Sequence, residues 1–194
     1  MPKQNRPGFT FCICPDGHLI KEHIQVLLAD QQESWQVRTF WADEELPDAD
    51  WQAFSWTSLL GRPTAVILRR AEHLKAVDWK KLYPILGRFK SGIWPFFCLE
   101  KEWERGKPPI SAVLQRQAYW KVAESKGWVW RSSGLERKNI QQRVGQWAER
   151  QGICIPAEVQ RVLVHALPLD AAALTNELEK LELLLTERKT MQAE

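Results

Sequence analysis

Apolar residues in this chain fall into two patterns, and the two alternate through the first two thirds of the sequence. Phe9-Thr10-Phe11-Cys12-Ile13-Cys14 is a short continuous apolar run and predicts a strand. Pro15-Asp16-Gly17-His18 reads as a turn, and Leu19, Ile20, His23, Ile24, Leu27 and Leu28 then recur at helical spacing, so a helix is predicted over 18–29. Val37–Trp41 predicts a second strand and the acidic stretch 42–50 a solvated linker. A helix is predicted over 51–60, carrying Phe54, Trp56, Leu59 and Leu60 and ended by Gly61 and Pro63. Ala65–Leu68 predicts a buried third strand. A helix over 75–86 follows, with Val77, Leu82, Ile85 and Leu86 inward. The next strand spans 93–99, where Pro95 suggests an edge or an irregular start. A charged loop, a helix over 110–124 and a last strand over 128–130 complete the alternation. Strands alternating with helices predict an α/β fold, a parallel sheet with helices on both faces and right-handed crossovers.

The pattern changes near residue 133. Ser133 and Glu136 have the spacing of a capping box. Ile140, Val144, Trp147 and Ala148 then form a helical stripe that Gly152 stops. Pro156 opens a second helix with Val159, Val162, Leu163 and Ala166 inward. Asp170 caps a third with Leu174, Leu178, Leu181 and Leu185 inward, and the remainder is a polar tail. The expected division is therefore an α/β domain over 1–133 and a small three-helix domain over 134–194.

Composition narrows the picture little. The chain has 194 residues, 44 % apolar and 26 % charged, with a net charge of +3, which is ordinary for a globular protein and too mild to single out nucleic acid. Eleven tryptophans are many, but they are scattered, and core filling is the simpler use for them. No apolar run approaches the ~20 residues of a membrane span. The first residues lack the apolar segment of a secretion signal. Cys12, Cys14, Cys98 and Cys154 include no C-x-x-C pair, so buried thiols in a reducing cytoplasm are expected, and no metal.

Candidate chemistry is mostly absent. The first strand–turn–helix stands where a phosphate-binding loop would sit. Such a loop needs several glycines, a Lys for the phosphates and a Ser or Thr for magnesium. This turn has one Gly, and Lys21 is followed by Glu22. In nucleoside triphosphatases of the AAA+ type, the third strand ends in Asp-Glu, which handles magnesium and water. Here Arg69 and Arg70 stand in those places, and a cation cannot ligate magnesium. His18, His23, His73 and His165 fall into no triad arrangement. Two basic stretches, Lys75, Lys80, Lys81, Arg88 and Lys90, then Arg131, Arg137, Lys138 and Arg143, read as solvated helix faces that could also meet phosphate.

With these residues in view, the chain resembles the delta subunit of the bacterial DNA polymerase III clamp loader over nearly its whole length. Phe9–Leu28 is similar to that family's opening strand and helix. Ser58-Leu59-Leu60-Gly61-Arg62-Pro63 followed by 65–72 is similar to its clamp-contact helix end and next strand. Thr175-Asn176-Glu177-Leu178-Glu179-Lys180-Leu181 is similar to the motif of its last lid helix. The resemblance implies an AAA+-like sheet domain without a working phosphate loop, followed by a three-helix lid. It also implies no catalysis by the chain alone, no cofactor, and a place in a DNA-directed DNA polymerase holoenzyme in the cytoplasm. The implied partners are the ring-shaped sliding clamp (beta subunit), the gamma/tau and delta-prime loader subunits, and primed DNA within the assembled loader; no membrane is implied. The family opens the clamp by pressing an apolar pair into it. The matching positions are Leu59 and Leu60, with Trp56, Ser58, Gly61 and Arg62 flanking, and the family often has Phe where this chain has Leu60. The family's third, collar domain has no counterpart in these 194 residues. The competing expectations are an ATPase of the AAA+ type and a DNA-binding regulatory protein that uses the helical bundle.

Overall fold

The computed structural model describes residues 6–55 and 62–185. The chain divides into two compact units, Met1–Ser133 and Gly134–Glu194.

The first unit is built on five parallel strands: β1 (Thr10–Ile13), β2 (Gln36–Trp41), β3 (Thr64–Arg69), β4 (Ile93–Leu99) and β5 (Val129–Arg131). Their order across the sheet is β2-β3-β4-β1-β5. The connecting helices are α1 (Gly17–Ala29), α2 (Asp48–Gln52), α3 (Ala76–Leu86), α4 (Ala112–Gln115) and α5 (Ala118–Ser125). Alternation along each strand sends side chains to opposite faces. Phe11, Ile13, Val66, Leu68, Ile93 and Phe97 join one core with Trp51, Phe54, Trp79, Leu82, Leu114 and Trp120 from the helical side. Phe97 sits in the middle, its ring 5.3 Å from Phe11, 5.5 Å from Trp79 and 6.0 Å from Phe54. On the opposite face lie Cys12, Ile67, Phe96 and Cys98, and α1 brings Ile20 and Ile24 to that side. Buried Thr10 is satisfied there by the Trp94 indole N–H at 3.0 Å. The fold is thus α/β and AAA+-like, with helices on both faces of a parallel sheet. Among the described residues no helix is long and apolar enough to cross a membrane.

Several elements differ from expectation. Pro95 suggests an edge or an irregular start; β4 is central and buried throughout, so the edge alternative fails. The Thr64 N–H donates to the Gly92 carbonyl, so even-numbered residues of β4 face β3 and Pro95 faces β1. Pairing with β1 begins one residue later, at Thr10↔Phe96, so the missing N–H costs that ladder nothing. The helix expected over 51–60 starts earlier and ends at Gln52; Ala53, Phe54 and Ser55 continue as tight turns bonded three residues back. Residues 56–61 lie outside the described residues. In α3, Val77 is exposed and Trp79 takes the inward place with Leu82 and Leu86, because Val77 stands about 200° round the helix from Trp79. The single helix expected over 110–124 is two, parted at Arg116 and Gln117.

The second unit holds α6 (Arg137–Gln151), α7 (Ala157–Ala166) and α8 (Ala171–Leu184) around Ile140, Val144, Trp147, Leu167, Leu174 and Leu178. The capping box is formed by Glu136 and Asn139 rather than by Ser133, since Gly134 has a φ of 102° and cannot lie in a helix. Gly152 ends α6 in the left-handed region at φ 66°. Asp170 caps α8 by accepting the Ala173 N–H at 2.7 Å. Val162 and Ala166 of α7, expected inward, are exposed; Val159, Leu163 and Val164 make that packing.

Candidate functional site

In a parallel sheet of this kind, ligands gather outside the carboxyl ends of the strands. Here that region is assembled from the β1–α1 turn, the ends of β3 and β4, and the short loops after them. β1 passes through Cys14, whose N–H donates to the Leu99 carbonyl at 3.0 Å, into Pro15 and Asp16. Asp16 caps α1, accepting the His18 and Leu19 N–H groups at 2.9 and 3.2 Å. A helix start presents free N–H groups and a partial positive charge, which suits a phosphate. In this chain a carboxylate of its own uses two of those donors.

The space in front of α1 is filled as well. Arg69, the last residue of β3, turns its guanidinium onto Glu100, just past β4, in a two-pronged pair whose Nη2–Oε2 arm measures 2.5 Å. The pair lies directly against Gly17, the first residue of α1. A β-carbon built there would collide with the guanidinium and stand 3.2 Å from Glu100 Oε2. A residue with a β-carbon here would have to push this end of the Arg69 side chain aside. Glu100 also accepts the Arg70 N–H at 3.3 Å, and its own N–H donates to Glu72 at 3.0 Å. Arg70 pairs with Asp43 beyond β2 and holds a left-handed backbone, φ 52°, which turns the chain from β3 into one turn of 3-10 helix, Ala71–His73. The Glu100 hydrogen bond raises the Arg69 pKa, so this cation stays charged at every accessible pH. The Arg70 hydrogen bond holds the Asp43 carboxyl below its usual range.

This arrangement is a closed charge network rather than an open phosphate cradle. Beside it, between α1 and strands β2 and β3, is an open cavity of about 260 Å³ lined by Ile20, Ile24, Leu28, Val37 and Ile67, with Gly17 and Arg69 at one end. Lys21, Gln25 and Thr39 also reach its wall, and the lining is predominantly apolar. Among the described residues no group of three or more His, Cys, Asp or Glu is placed to hold a metal ion.

Of the residues named for clamp contact, Arg62 is exposed two residues before β3. Trp56, Ser58, Leu59, Leu60 and Gly61 lie outside the described residues. The sequence singled out Arg69 and Arg70 but not their partners. Glu100 stands 31 positions from Arg69 and Asp43 27 from Arg70, and nothing local in the chain signals either pairing.

No protein-family model matches the chain, and no curated protein matches it at the sequence level. Among solved structures it is similar to the DNA clamp loader delta protein of Bacillus subtilis, with a TM-score of 0.60 and 12 % identity. The similarity covers 95 % of this chain and 55 % of that one, so the chain spans about half the length of the protein it matches. At that identity the likeness is one of fold.

Proposed function

We propose that this chain is a non-catalytic clamp-loader subunit of the delta type, which binds and opens the sliding clamp during DNA replication. The observation that carries the reading is a delta-like fold in which the chain's own Arg69–Glu100 pair sits where nucleotide phosphates would bind. A subunit built this way contributes a binding surface, and ATP turnover falls to the other subunits of the loader. The contact is made by Leu59 and Leu60, with Trp56, Ser58, Gly61 and Arg62 around them. The partners are the beta clamp, the gamma/tau and delta-prime subunits, and primed DNA inside the assembled loader.

The energetics follow from apolar burial. One leucine seated in a partner's pocket contributes ~1.5–3 kcal/mol, and interface anchors lose ~2–4 kcal/mol on truncation. Leu59→Ala combined with Leu60→Ala should therefore weaken clamp binding at least ~100-fold, since ~1.4 kcal/mol is tenfold. The thermal midpoint of the free protein should barely move. Surface plasmon resonance against immobilised sliding clamp measures the first, calorimetry the second. A double mutant that unfolds, while its remaining folded fraction binds the clamp normally, places the pair in the core and ends this assignment. Micromolar ATP affinity in a titration would overturn the non-catalytic part. Binding to bare DNA without binding to the clamp would point instead to a DNA-binding regulatory protein.

A further inference from the structure

Among the described residues β2 is an edge strand, and its outer edge is self-complementary. The Gln36 and Ala42 N–H groups donate to the carbonyls of Pro63 and Arg69, so the even-numbered residues of β2 bond to β3. The backbone groups of Val37, Thr39 and Trp41 therefore point away from the sheet. Among the described residues no strand pairs with them. Edges of this kind are usually protected by proline, lysine, a bulge or a covering loop. Within Gln-Val-Arg-Thr-Phe-Trp the only charge is Arg38, and the strand is rich in β-branched and aromatic residues. Val37 is 54 % exposed and Trp41 40 % exposed, both on the face that carries the apolar cavity beside α1.

We propose that this edge is the docking surface for a second copy of the chain, joined by antiparallel pairing of β2 with β2 about a two-fold axis at Thr39. That register is the one the residues select. It sets Thr39 opposite Thr39, and Val37 opposite Trp41 in both directions. All three outward-facing residues then exchange N–H and C=O bonds. The Trp41 carbonyl also accepts the Glu44 N–H at 3.3 Å, and its second lone pair serves the new bond. The two exposed apolar side chains of the edge cover each other, an aromatic against a β-branched residue. On the opposite face Arg38, whose guanidinium already lies 5.3 Å from the Phe40 ring, meets Phe40 of the other copy. An axis at Arg38 instead opposes two like charges. An axis at Phe40 leaves Val37 facing Asp43 beyond the end of the strand. The interface is a single short strand per copy, so the association is weak and concentration-dependent.

Sedimentation velocity of the whole chain, from a few micromolar to several hundred micromolar, tests this. Wild type should pass from monomer to dimer within that range. Thr39→Lys places two ammonium groups at the axis, and Thr39→Glu two carboxylates. Each alone should weaken self-association at least about tenfold. An equimolar mixture of the two should restore dimers, because opposite charges then meet. Unchanged circular dichroism and thermal midpoint in both variants would show that the fold is intact, and the mixture reads the contact even if each single variant is somewhat less stable. Wild type that stays monomeric throughout, or Thr39→Lys that dimerises as wild type does, overturns the proposal. So does a monomeric wild type that captures an extended apolar peptide at β2, which would assign the edge to a strand of another protein. None of these readouts involves the clamp, so this proposal and the clamp reading fail separately.

Discussion

Glu100 has a side chain only 11 % exposed, and Arg69 is its main cationic partner. A pair in this position lies between two regimes. Exposed pairs contribute little, whereas removing one partner of a buried pair leaves an uncompensated charge at a cost of several kcal/mol. Arg69→Ala should therefore destabilise the protein by about 2 kcal/mol, an intermediate value. Arg69→Met combined with Glu100→Met should cost clearly less than the two single changes added together, since no charge is left stranded. Urea denaturation of the four proteins in the cycle measures this. Strict additivity would mean that the pair is not the structural plug at the start of α1. Arg6 shows the opposite use of a cation. Its guanidinium lies 4.9 Å from the Trp35 ring and 4.7 Å from that of Phe89, and donates to the carbonyls of Lys90, Ser91 and Ile93. Burial pushes its pKa down to about 10, yet it stays protonated at neutral pH and ties the chain entering β1 to the start of β4.

At the scale of elements, α1 is docked on the other edge of the sheet through an aromatic contact. The His23 ring stacks on Trp130 of β5, centroids 4.3 Å apart and planes within 10°. Burial against that indole lowers the His23 pKa below its ordinary 6.5, because the charged form loses water. The folded state then binds fewer protons at this site than the unfolded state does between the two pKa values. Stability from this contact is full above pH 6.5 and falls as pH drops toward the folded value. His23→Phe keeps the stacking and removes the titration. Thermal midpoints measured between neutral pH and about pH 5 should fall less steeply for His23→Phe than for wild type. Parallel curves would show that His23 titrates as it does in the unfolded chain.

At the scale of the whole molecule, each of the two units has its own core. Trp79, Trp94, Phe11, Phe96 and Phe97 are fully buried in the first, and Ile140, Val144 and Leu174 in the second. Surface-to-volume scaling makes a unit of ~60 residues marginal when it stands alone, whereas one of ~130 buries enough to be robust. Residues 1–133 expressed alone should unfold in one cooperative transition by circular dichroism. Residues 134–194 should be helical but melt broadly and at lower temperature. A first fragment that fails to fold would mean that its sheet depends on the second unit.

Local physics determined much of this protein directly from its sequence. Apolar runs and helical stripes identify the five strands and the α/β class, because alternation and 3.6-residue periodicity are set by each residue's nearest neighbours in the chain. The lack of a phosphate loop was equally legible, since it is a matter of which residue types are present at Pro15–His18 and at Arg69-Arg70. Tertiary structure decided what depends on residues far apart. Pro95 reads as the mark of an edge or of an irregular start until the β1 register shows that pairing on its side begins one residue later. The two arginines read as a lost magnesium site; only the meeting of strand ends reveals that Arg69 and Glu100 fill the space before α1. Periodicity fixes which face of a strand is apolar but not which strand lies at the edge. That choice is made by crossover connections and long-range pairing, so the place of β2 at the edge of the described sheet is visible only once the sheet is assembled.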